Sequence, residues 1–187
     1  MLTPILIGLA VVVVVFVIVI ATRPDDFRVT RSATIGSPPA AVFEQVNDFH
    51  MWDDWSPWAQ LDPTCKNSFD GAPAGKGAKF TWDGNNKVGA GRMTIKESQP
   101  PEMIRIHLEF LRPFKATNTT EFTFKPIGSG TEVTWSMFGK NNFMSKAFSL
   151  FVNCDTMVGK DFERGLASLK ALAEATREPG MDADSRR

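Results

Sequence analysis

The sequence predicts an α+β domain in which about seven antiparallel strands curve around one long C-terminal helix, with a single transmembrane helix in front. Three observations support this fold class. Residues 2–21 form an uncharged apolar run, residues 27–138 read mostly as alternating strands, and residues 155–175 carry an apolar stripe at helical spacing. A sheet with one apolar face needs a helix to cover it, so the last segment organises the others. The expected boundaries are a transmembrane helix at residues 1–22, a linker at 23–26, the folded domain at 27–176 and a disordered tail at 177–187.

The N-terminal run is long enough to cross a membrane. About 20 residues at about 1.5 Å each span a hydrocarbon core of about 30 Å. A cleaved signal peptide is the alternative, but no Lys or Arg precedes the run and no A-x-A site follows it. Arg23, Arg28 and Arg31 follow the run, and the positive-inside rule then puts the domain on the cytoplasmic side. We expect a single-pass anchor through residues 2–21 and a cytoplasmic domain.

Composition narrows the classes of function. Lys plus Arg equals Asp plus Glu at 21 each, so the basic excess typical of nucleic-acid-binding proteins is missing. The 15 Phe and 5 Trp, with no Tyr, suit an apolar core or an apolar cavity. Cys65 and Cys154 are too few for a disulfide framework or a zinc site, and two free or buried thiols are favoured over one bridge. We expect no nucleic-acid partner, no metal and no cofactor.

Between residues 27 and 138 the alternation of side chains predicts a sheet with one apolar and one solvated face. Residues 27–35 form the first strand, and six more follow from residue 66. Gly89 and Gly91 are expected to allow a bulge where the sheet bends. The apolar face collects Phe80, Trp82, Met93, Ile95, Ile104, Ile106, Leu108, Phe110, Thr120, Phe122, Phe124, Val133, Trp135 and Met137. The solvated face collects Lys79, Arg92, Lys96, Arg105, His107, Glu109, Glu121, Glu132 and Thr134.

The C-terminal segment predicts a helix that packs on the apolar face. Phe162, Leu166 and Leu169 recur at helical spacing, with charged residues on the other side. Asp155 is the expected N-cap, and the Pro-Gly pair at residues 179–180 is expected to end the helix.

Three tryptophans, Trp52, Trp55 and Trp58, are spaced by three, which puts them on one side of a helical turn until Pro57 interrupts it. Two interpretations remain open. The cluster forms a wall or lid of a cavity mouth, with an indole N–H available to a ligand oxygen. Alternatively, it packs the preceding short helices onto the edge of the sheet.

Side chains suited to proton transfer are few. General acid–base catalysis needs a group that titrates near neutral pH or one or two polar groups in a shaped pocket. His50, Asp53 and Arg105 are weak candidates for these roles. The simpler interpretation makes His50 an exposed residue and Asp53 a solvated or capping one. The sequence contains no H-x-x-x-H or C-x-x-C spacing of the kind that metal sites use.

Five short stretches occur in a family-like order: Ser37-Pro-Pro-Ala-Ala-Val-Phe, the tryptophan-rich residues 52–58, Val88-Gly-Ala-Gly-Arg-Met-Thr-Ile, Gly130-Thr-Glu-Val-Thr-Trp and Lys160-Asp-Phe-Glu-Arg-Gly-Leu. With the order of elements, they resemble the helix-grip fold of the START-related (SRPBCC) superfamily, which includes birch-pollen-allergen-like proteins. The sequences of these stretches resemble most the polyketide cyclase/dehydrase-like branch of small bacterial proteins. Fold alone does not fix an activity, so function needs its own argument.

The resemblance implies a hydrophobic cavity between the sheet and the C-terminal helix, used to bind lipids, polyketides, quinones or other apolar molecules. We therefore predict a membrane-anchored module that binds a hydrophobic small molecule or lipid. Two alternatives stay open: a cyclase- or dehydrase-type enzyme acting on a polyketide-like substrate, and a structural or interaction domain whose own side chains fill the space. The side chains expected to contact a ligand are Trp52, Trp55, Trp58, Phe80, Trp82, Ile106, Leu108, Phe110, Phe122, Trp135, Met137, Phe162 and Leu166.

Overall fold

Seven strands form one antiparallel sheet in the computed structural model, which describes residues 2–59, 61–141, 143–150 and 153–176. The strands are β1 (Asp26–Ile35), β2 (Lys66–Gly71), β3 (Ala78–Asp83), β4 (Ala90–Gln99), β5 (Met103–Arg112), β6 (Ala116–Ile127) and β7 (Gly130–Lys140). The helices are α1 (Leu2–Ala21), α2 (Pro39–Asn47), α3 (Trp52–Trp55), α4 (Phe143–Phe148) and α5 (Cys154–Ala175), with a 3-10 turn at Phe49–Met51. The order across the sheet is β1-β7-β6-β5-β4-β3-β2.

The two ends of the sheet carry different parts of the chain. One end, which we call the anchor end, holds the start of β1 just after α1, the end of β7 just before α4, and the β3–β4 and β5–β6 loops. The pairs that mark it across the sheet are Asp26–Lys140, Asn118–Gly139, Phe110–Ala116, Ala90–Arg112 and Lys66–Asp83. The far end carries the β2–β3, β4–β5 and β6–β7 turns and the connection from β1 to α2.

The helix α5 covers the apolar face and runs from the anchor end towards the far end. Phe162, Leu166 and Leu169 on its inner side are at most 1% exposed. Burying each such side chain stabilises the fold by about 1.5–3 kcal/mol. At the far end the Ser37 hydroxyl donates to the Ala173 carbonyl oxygen at 2.8 Å, which ties the end of α5 to the end of β1.

Arg31 in β1 ties the other half of α5 to the sheet. Its Nε donates to Glu163 Oε1 at 2.7 Å, and its Nη2 donates to Asp155 Oδ2 at 3.1 Å. The guanidinium holds the pKa of the Asp155 carboxyl below its usual range through these hydrogen bonds. The Arg31 side chain therefore fastens the N-terminal half of α5 to β1.

The sheet bends at the start of β4, where the register with β5 shifts between Ala90 and Gly91. A Cβ at Gly91 would lie 2.4 Å from Trp82 Cη2 and 2.4 Å from the Glu109 carbonyl oxygen. Only glycine leaves room for the Trp82 ring to lie across β4. The predicted bulge in this glycine-containing segment is confirmed.

The predicted fold class is confirmed: seven antiparallel strands with a long C-terminal helix and one apolar N-terminal helix. The expected N-cap of the last helix is wrong. Asn153 caps α5, since its side chain accepts from the Thr156 backbone N–H at 3.1 Å. Asp155 instead lies in the first turn, where its carboxylate is free to bind Arg31.

The segment from Thr3 to Ala21 in α1 has a mean hydropathy of 3.3.

Two further expectations concern residues 177–187: the helix end at residues 179–180 and the disordered tail. Both lie outside the residues that the structure describes. The domain boundaries drawn from the sequence stay a prediction.

Candidate functional site

A cavity of about 410 Å³ lies between the N-terminal half of α5, the segment of residues 52–59 and the anchor end of the sheet. Nine of the side chains predicted to contact a ligand line it: Trp52, Trp58, Phe80, Trp82, Leu108, Phe110, Trp135, Met137 and Phe162. Their role in binding stays a prediction. The α5 residues that line it, Met157, Val158, Asp161 and Phe162, belong to the N-terminal half of the helix, whereas Leu166, Leu169 and Ala173 towards the far end are buried in the core.

The other four predicted contact residues are in the packed core instead. Trp55, Ile106, Phe122 and Leu166 are at most 1% exposed and do not line the cavity. Alternation and helical spacing identify which side of an element faces inward, but they do not separate core from cavity wall. These four residues form the layer on which the cavity rests.

Stacked aromatic rings form the wall beneath α5. The Trp135 ring lies nearly parallel to Phe162, with centroids 4.0 Å apart and an interplanar angle of 8°. On its neighbouring strand, Phe122 stacks on Trp135 at 4.7 Å. Trp58 meets Trp135 edge to face at 5.8 Å. Because aromatic contacts of this kind add about 0.5–1.5 kcal/mol per pair beyond area burial, this wall is preformed and rigid.

The tryptophan N–H groups differ in whether they have an acceptor. Trp52 Nε1 donates to the Val46 carbonyl oxygen at 3.0 Å, and Trp82 Nε1 donates to the Val88 carbonyl oxygen at 3.1 Å. Within the tryptophan cluster, the Trp52 N–H is therefore not available to a ligand, and the expectation that the cluster offers an indole N–H stays a prediction. Trp135 Nε1 is the buried side-chain nitrogen without a hydrogen-bond partner in the described part of the chain.

The contacts of Trp55 bear on the two interpretations of the tryptophan cluster. Its Nε1 donates to the Gln45 carbonyl oxygen at 3.0 Å, and its ring is 1% exposed. Trp52 and Trp55 thus fasten α3 to the end of α2, while Trp52 and Trp58 also border the cavity. Trp52 therefore takes part in both packing and cavity lining, and the role of the cluster in ligand binding stays a prediction.

Exposed lining residues mark the cavity mouth. Lys87 in the β3–β4 loop, Arg112 and Pro113 at the β5–β6 hairpin, and Met157 in α5 all line the cavity and are exposed. The Arg112 guanidinium is ion-paired with Asp83 and also donates to the Gly84 carbonyl oxygen at 3.0 Å. The mouth therefore opens at the anchor end of the sheet.

Asp62 joins two loops beside the mouth. Its Oδ2 accepts from the Asn85 backbone N–H at 2.6 Å, and its Oδ1 accepts from the Thr64 hydroxyl at 2.7 Å. The Thr64 hydroxyl and then the Asn85 N–H lower the pKa of the Asp62 carboxyl. Nearby, burial raises the pKa of the free Cys65 thiol, so this sulfur is a poor nucleophile at neutral pH.

The three weak catalytic candidates do not converge. His50 is exposed, its Nδ1 lies 2.7 Å from Asp48 Oδ1, and its ring stacks on Phe69. Arg105 is on the solvated face of the sheet between Glu97 and Glu121, at 2.6 and 2.9 Å. Asp53 alone of the three lines the cavity.

Groups of His, Cys, Asp or Glu that could hold a metal ion are absent from the described residues. A broad open depression of about 980 Å³ follows the outer side of α5, but its lining includes the charged Lys160, Asp161, Glu163 and Arg164. Because it is wide and exposed, it lacks the enclosure that a small-molecule site requires.

Sequence reasoning missed the residues contributed by loops. Lys87 and Val88 border the cavity from the β3–β4 loop, Arg112 and Pro113 from the last residue of β5 and the loop after it, and Met157 from α5. The one signal for the loop residues is their position directly before or after predicted strands whose ends meet at the same edge. Met157 precedes Val158 in the helical stripe and carries no signal of its own.

Comparison with solved structures gives the same fold at low sequence identity. The chain aligns with protein CV1439 from Chromobacterium violaceum at a TM-score of 0.57 and 16% identity, covering 81% of this chain and 99% of that one. It aligns with Ara h 8.0201 at a TM-score of 0.56 and 11% identity, covering 80% of this chain and 99% of that one. The di-domain ARO/CYC BexL from the BE-7585A biosynthetic pathway aligns at a TM-score of 0.57 and 15% identity, covering 84% of this chain and 53% of that one.

A comparison with curated proteins finds no match. The family described as polyketide cyclase/dehydrase and lipid transport matches residues 26–174, which span β1 to α5 and include every element around the cavity. The chain therefore belongs to the polyketide cyclase/dehydrase and lipid transport family.

Proposed function

We propose that this protein is a membrane-anchored binding module that holds one hydrophobic small molecule, or one acyl chain of a lipid, between α5 and the sheet. The observation that carries the proposal is the aromatic and aliphatic lining of a cavity of about 410 Å³. Small-molecule sites usually have volumes of about 300–1,000 Å³, so this one suits a single small guest. The family description, which includes lipid transport, supports the same chemistry.

The polar groups on the buried part of the wall favour binding over catalysis. Thr120 and Asp62 are the buried polar lining residues among those the structure describes. Asp62 is committed to Thr64 and Asn85, so the Thr120 hydroxyl is left to meet a polar atom of the guest. Proton transfer needs converging acidic and basic groups, and a filled-core domain would leave no cavity of this size.

The proposal is tested by heavy-atom quenching of tryptophan fluorescence with 9,10-dibromostearate on the full chain in detergent. Trp52, Trp82 and Trp135 line the cavity, so a bound brominated chain quenches their emission in a saturable way. Thr120→Phe fills the cavity and abolishes the saturable part. Its matched control is Thr119→Phe, which puts the same ring on the solvated face one residue away. Equal quenching in all three proteins contradicts the proposal.

The anchor in this proposal is α1, with residues 1–22 crossing the membrane, 23–26 as linker and 27–176 as the domain. Ile20 near the end of α1 is 1% exposed, and α1 contacts α4. A helix whose end packs on the folded domain favours a retained anchor over a cleaved signal peptide.

For orientation we propose that the domain faces the cytoplasm, because Arg23, Arg28 and Arg31 follow α1. Protease added to intact cells then leaves the domain whole, and lysis makes it susceptible. Digestion without lysis contradicts this orientation.

A further inference from the structure

Exposed apolar side chains concentrate at the anchor end. Nine large apolar side chains outside α1 are exposed among the described residues, and six of them are at or beside this end. They are Leu111 and Phe114 at the β5–β6 hairpin, Phe143, Met144 and Phe148 in α4, and Met157 in α5. Phe114, Phe143 and Met144 are each at least 55% exposed. A cluster of this kind marks an interaction surface rather than ordinary scatter.

A short, fixed linker holds this end beside the bilayer that α1 enters. The four residues between Ala21 and Asp26 reach at most about 14 Å when fully extended. The Asn141 backbone N–H donates to the Asp25 carbonyl oxygen at 2.7 Å, and Lys146 in α4 is ion-paired with the Asp25 carboxylate. The linker is thus bound to the same segment that presents Phe143 and Met144.

The charges at the anchor end suit a phospholipid surface. Asp25, Asp26 and Asp83 are each neutralised by a lysine or arginine, respectively Lys146, Lys140 and Arg112. Four further bases at or beside this end, Arg23, Lys66, Lys87 and Lys115, form no ion pair with any described residue. The three acidic groups are therefore compensated, and of the acidic residues that line the cavity only Asp53 and Asp62 lack a basic partner among the described residues. The unpaired bases outnumber them and include Lys115 next to exposed Phe114, which suits a phospholipid surface.

The cavity mouth is at this same end, between Lys87, Arg112, Pro113 and Met157. We propose that the anchor end docks on the bilayer that holds α1, with its exposed apolar side chains in the headgroup and acyl boundary, and that the guest passes directly between the bilayer and the cavity. The partner is a phospholipid surface, and the inference rests on the proposed function for the identity of the guest. An amphipathic surface buried about 5–10 Å into this boundary is a known mode of peripheral membrane contact.

The test uses spin labels on the full chain in phospholipid nanodiscs. In a background with Cys65→Ser and Cys154→Ser, nitroxides are attached to Phe114→Cys, to Phe143→Cys and, as the matched control, to Ile127→Cys. Ile127 is a large apolar residue that is 45% exposed, and it lies at the end of β6, at the far end of the sheet. If the anchor end docks, the ratio of accessibility to oxygen over accessibility to a water-soluble nickel chelate is several-fold higher for the labels at 114 and 143 than for the label at 127. The label at 127 stays accessible to the chelate.

Two results overturn the docking proposal. Chelate accessibility at 114 and 143 equal to that at 127 leaves the end in water. Labels shielded from both reagents and broadened by coupling to a second labelled copy assign the surface to a dimer. Failure of the proposed function is detected by a different measurement. It appears as the absence of saturable quenching by dibromostearate and leaves the accessibility of the spin labels unchanged. A second labelled site keeps the test valid if one variant folds poorly.

Discussion

Gly91 is the residue on which the shape of the cavity depends most directly. The Trp82 ring lies against it, and the Glu109 carbonyl oxygen of β5 lies just as close to where a Cβ would be. We predict that Gly91→Ala destabilises the protein by about 1–3 kcal/mol, because the backbone oxygen has nowhere to move and the added methyl overpacks the site. Thermal unfolding of the full chain in detergent measures this. Lys96→Ala on the exposed side of β4 is the control, and an unchanged Tm for Gly91→Ala contradicts the account.

Asp62 gives the mouth a pH dependence. Its pKa is lowered by the Thr64 hydroxyl and the Asn85 N–H, so the charged carboxylate stabilises the folded state above the ordinary aspartate pKa of about 3.9. That contribution is lost as pH falls through the lowered folded pKa. We predict that Asp62→Asn lowers Tm at pH 7 and that its gap from wild type narrows below about pH 4. Asp70→Asn on exposed β2 is the control, and a gap of constant size from pH 7 to pH 3 contradicts the prediction.

At the scale of single residues, the sequence predicts well which side chains face inward, and it predicts contacts between loops poorly. Alternation is a property of each strand alone, so Trp82, Leu108 and Met137 are found without any tertiary information. The bond from Asp62 to Asn85 joins residues from two loops, and no local pattern encodes it. The unpartnered Trp135 N–H depends in the same way on what the packed neighbours fail to offer.

Among the elements, α5 has two halves with different tasks. Its C-terminal half packs solidly, with Leu169 fully buried, while in its N-terminal half Val158 is half-buried and lines the cavity. We predict that Leu169→Ala costs about 2–5 kcal/mol of stability and leaves ligand affinity unchanged in the folded fraction. Val158→Ala costs about 1 kcal/mol and changes affinity. Thermal unfolding and dibromostearate quenching on both variants measure these effects. The same ratio of affinity change to stability loss in both variants contradicts a division between the halves.

Helical spacing predicts the existence and the buried side of α5 but not this division. Phe162 and Leu166 are one turn apart and look equivalent in the sequence, yet one lines the cavity and the other is core. What separates them is tertiary structure. The bulge at Gly91 and the hydrogen bonds from Arg31 to α5 involve residues that are far apart in the chain, so no local pattern encodes their combined effect.

For the whole molecule, the order of elements is sufficient to predict the fold, and the family match over residues 26–174 agrees with it. The cavity is harder to predict, because an apolar sheet face serves a solid core and a binding site equally well. Whether the side chains fill the space depends on how closely the helix approaches the sheet, and no single stretch of the sequence determines that distance. A second global property is that α1, the cavity mouth and most of the exposed apolar side chains outside α1 lie at the same end of the molecule in the described residues.

Native mass spectrometry of the full chain tests the central claim most directly. We predict that wild-type protein carries one apolar small molecule per chain, and that Leu108→Trp, which fills the cavity from β5, loses it. Ile106→Val, two residues away in the packed core, keeps the guest and serves as the control. Bare chain in all three proteins, or lipid adducts of variable number that are the same in all three, would show that the space between α5 and the sheet holds no guest.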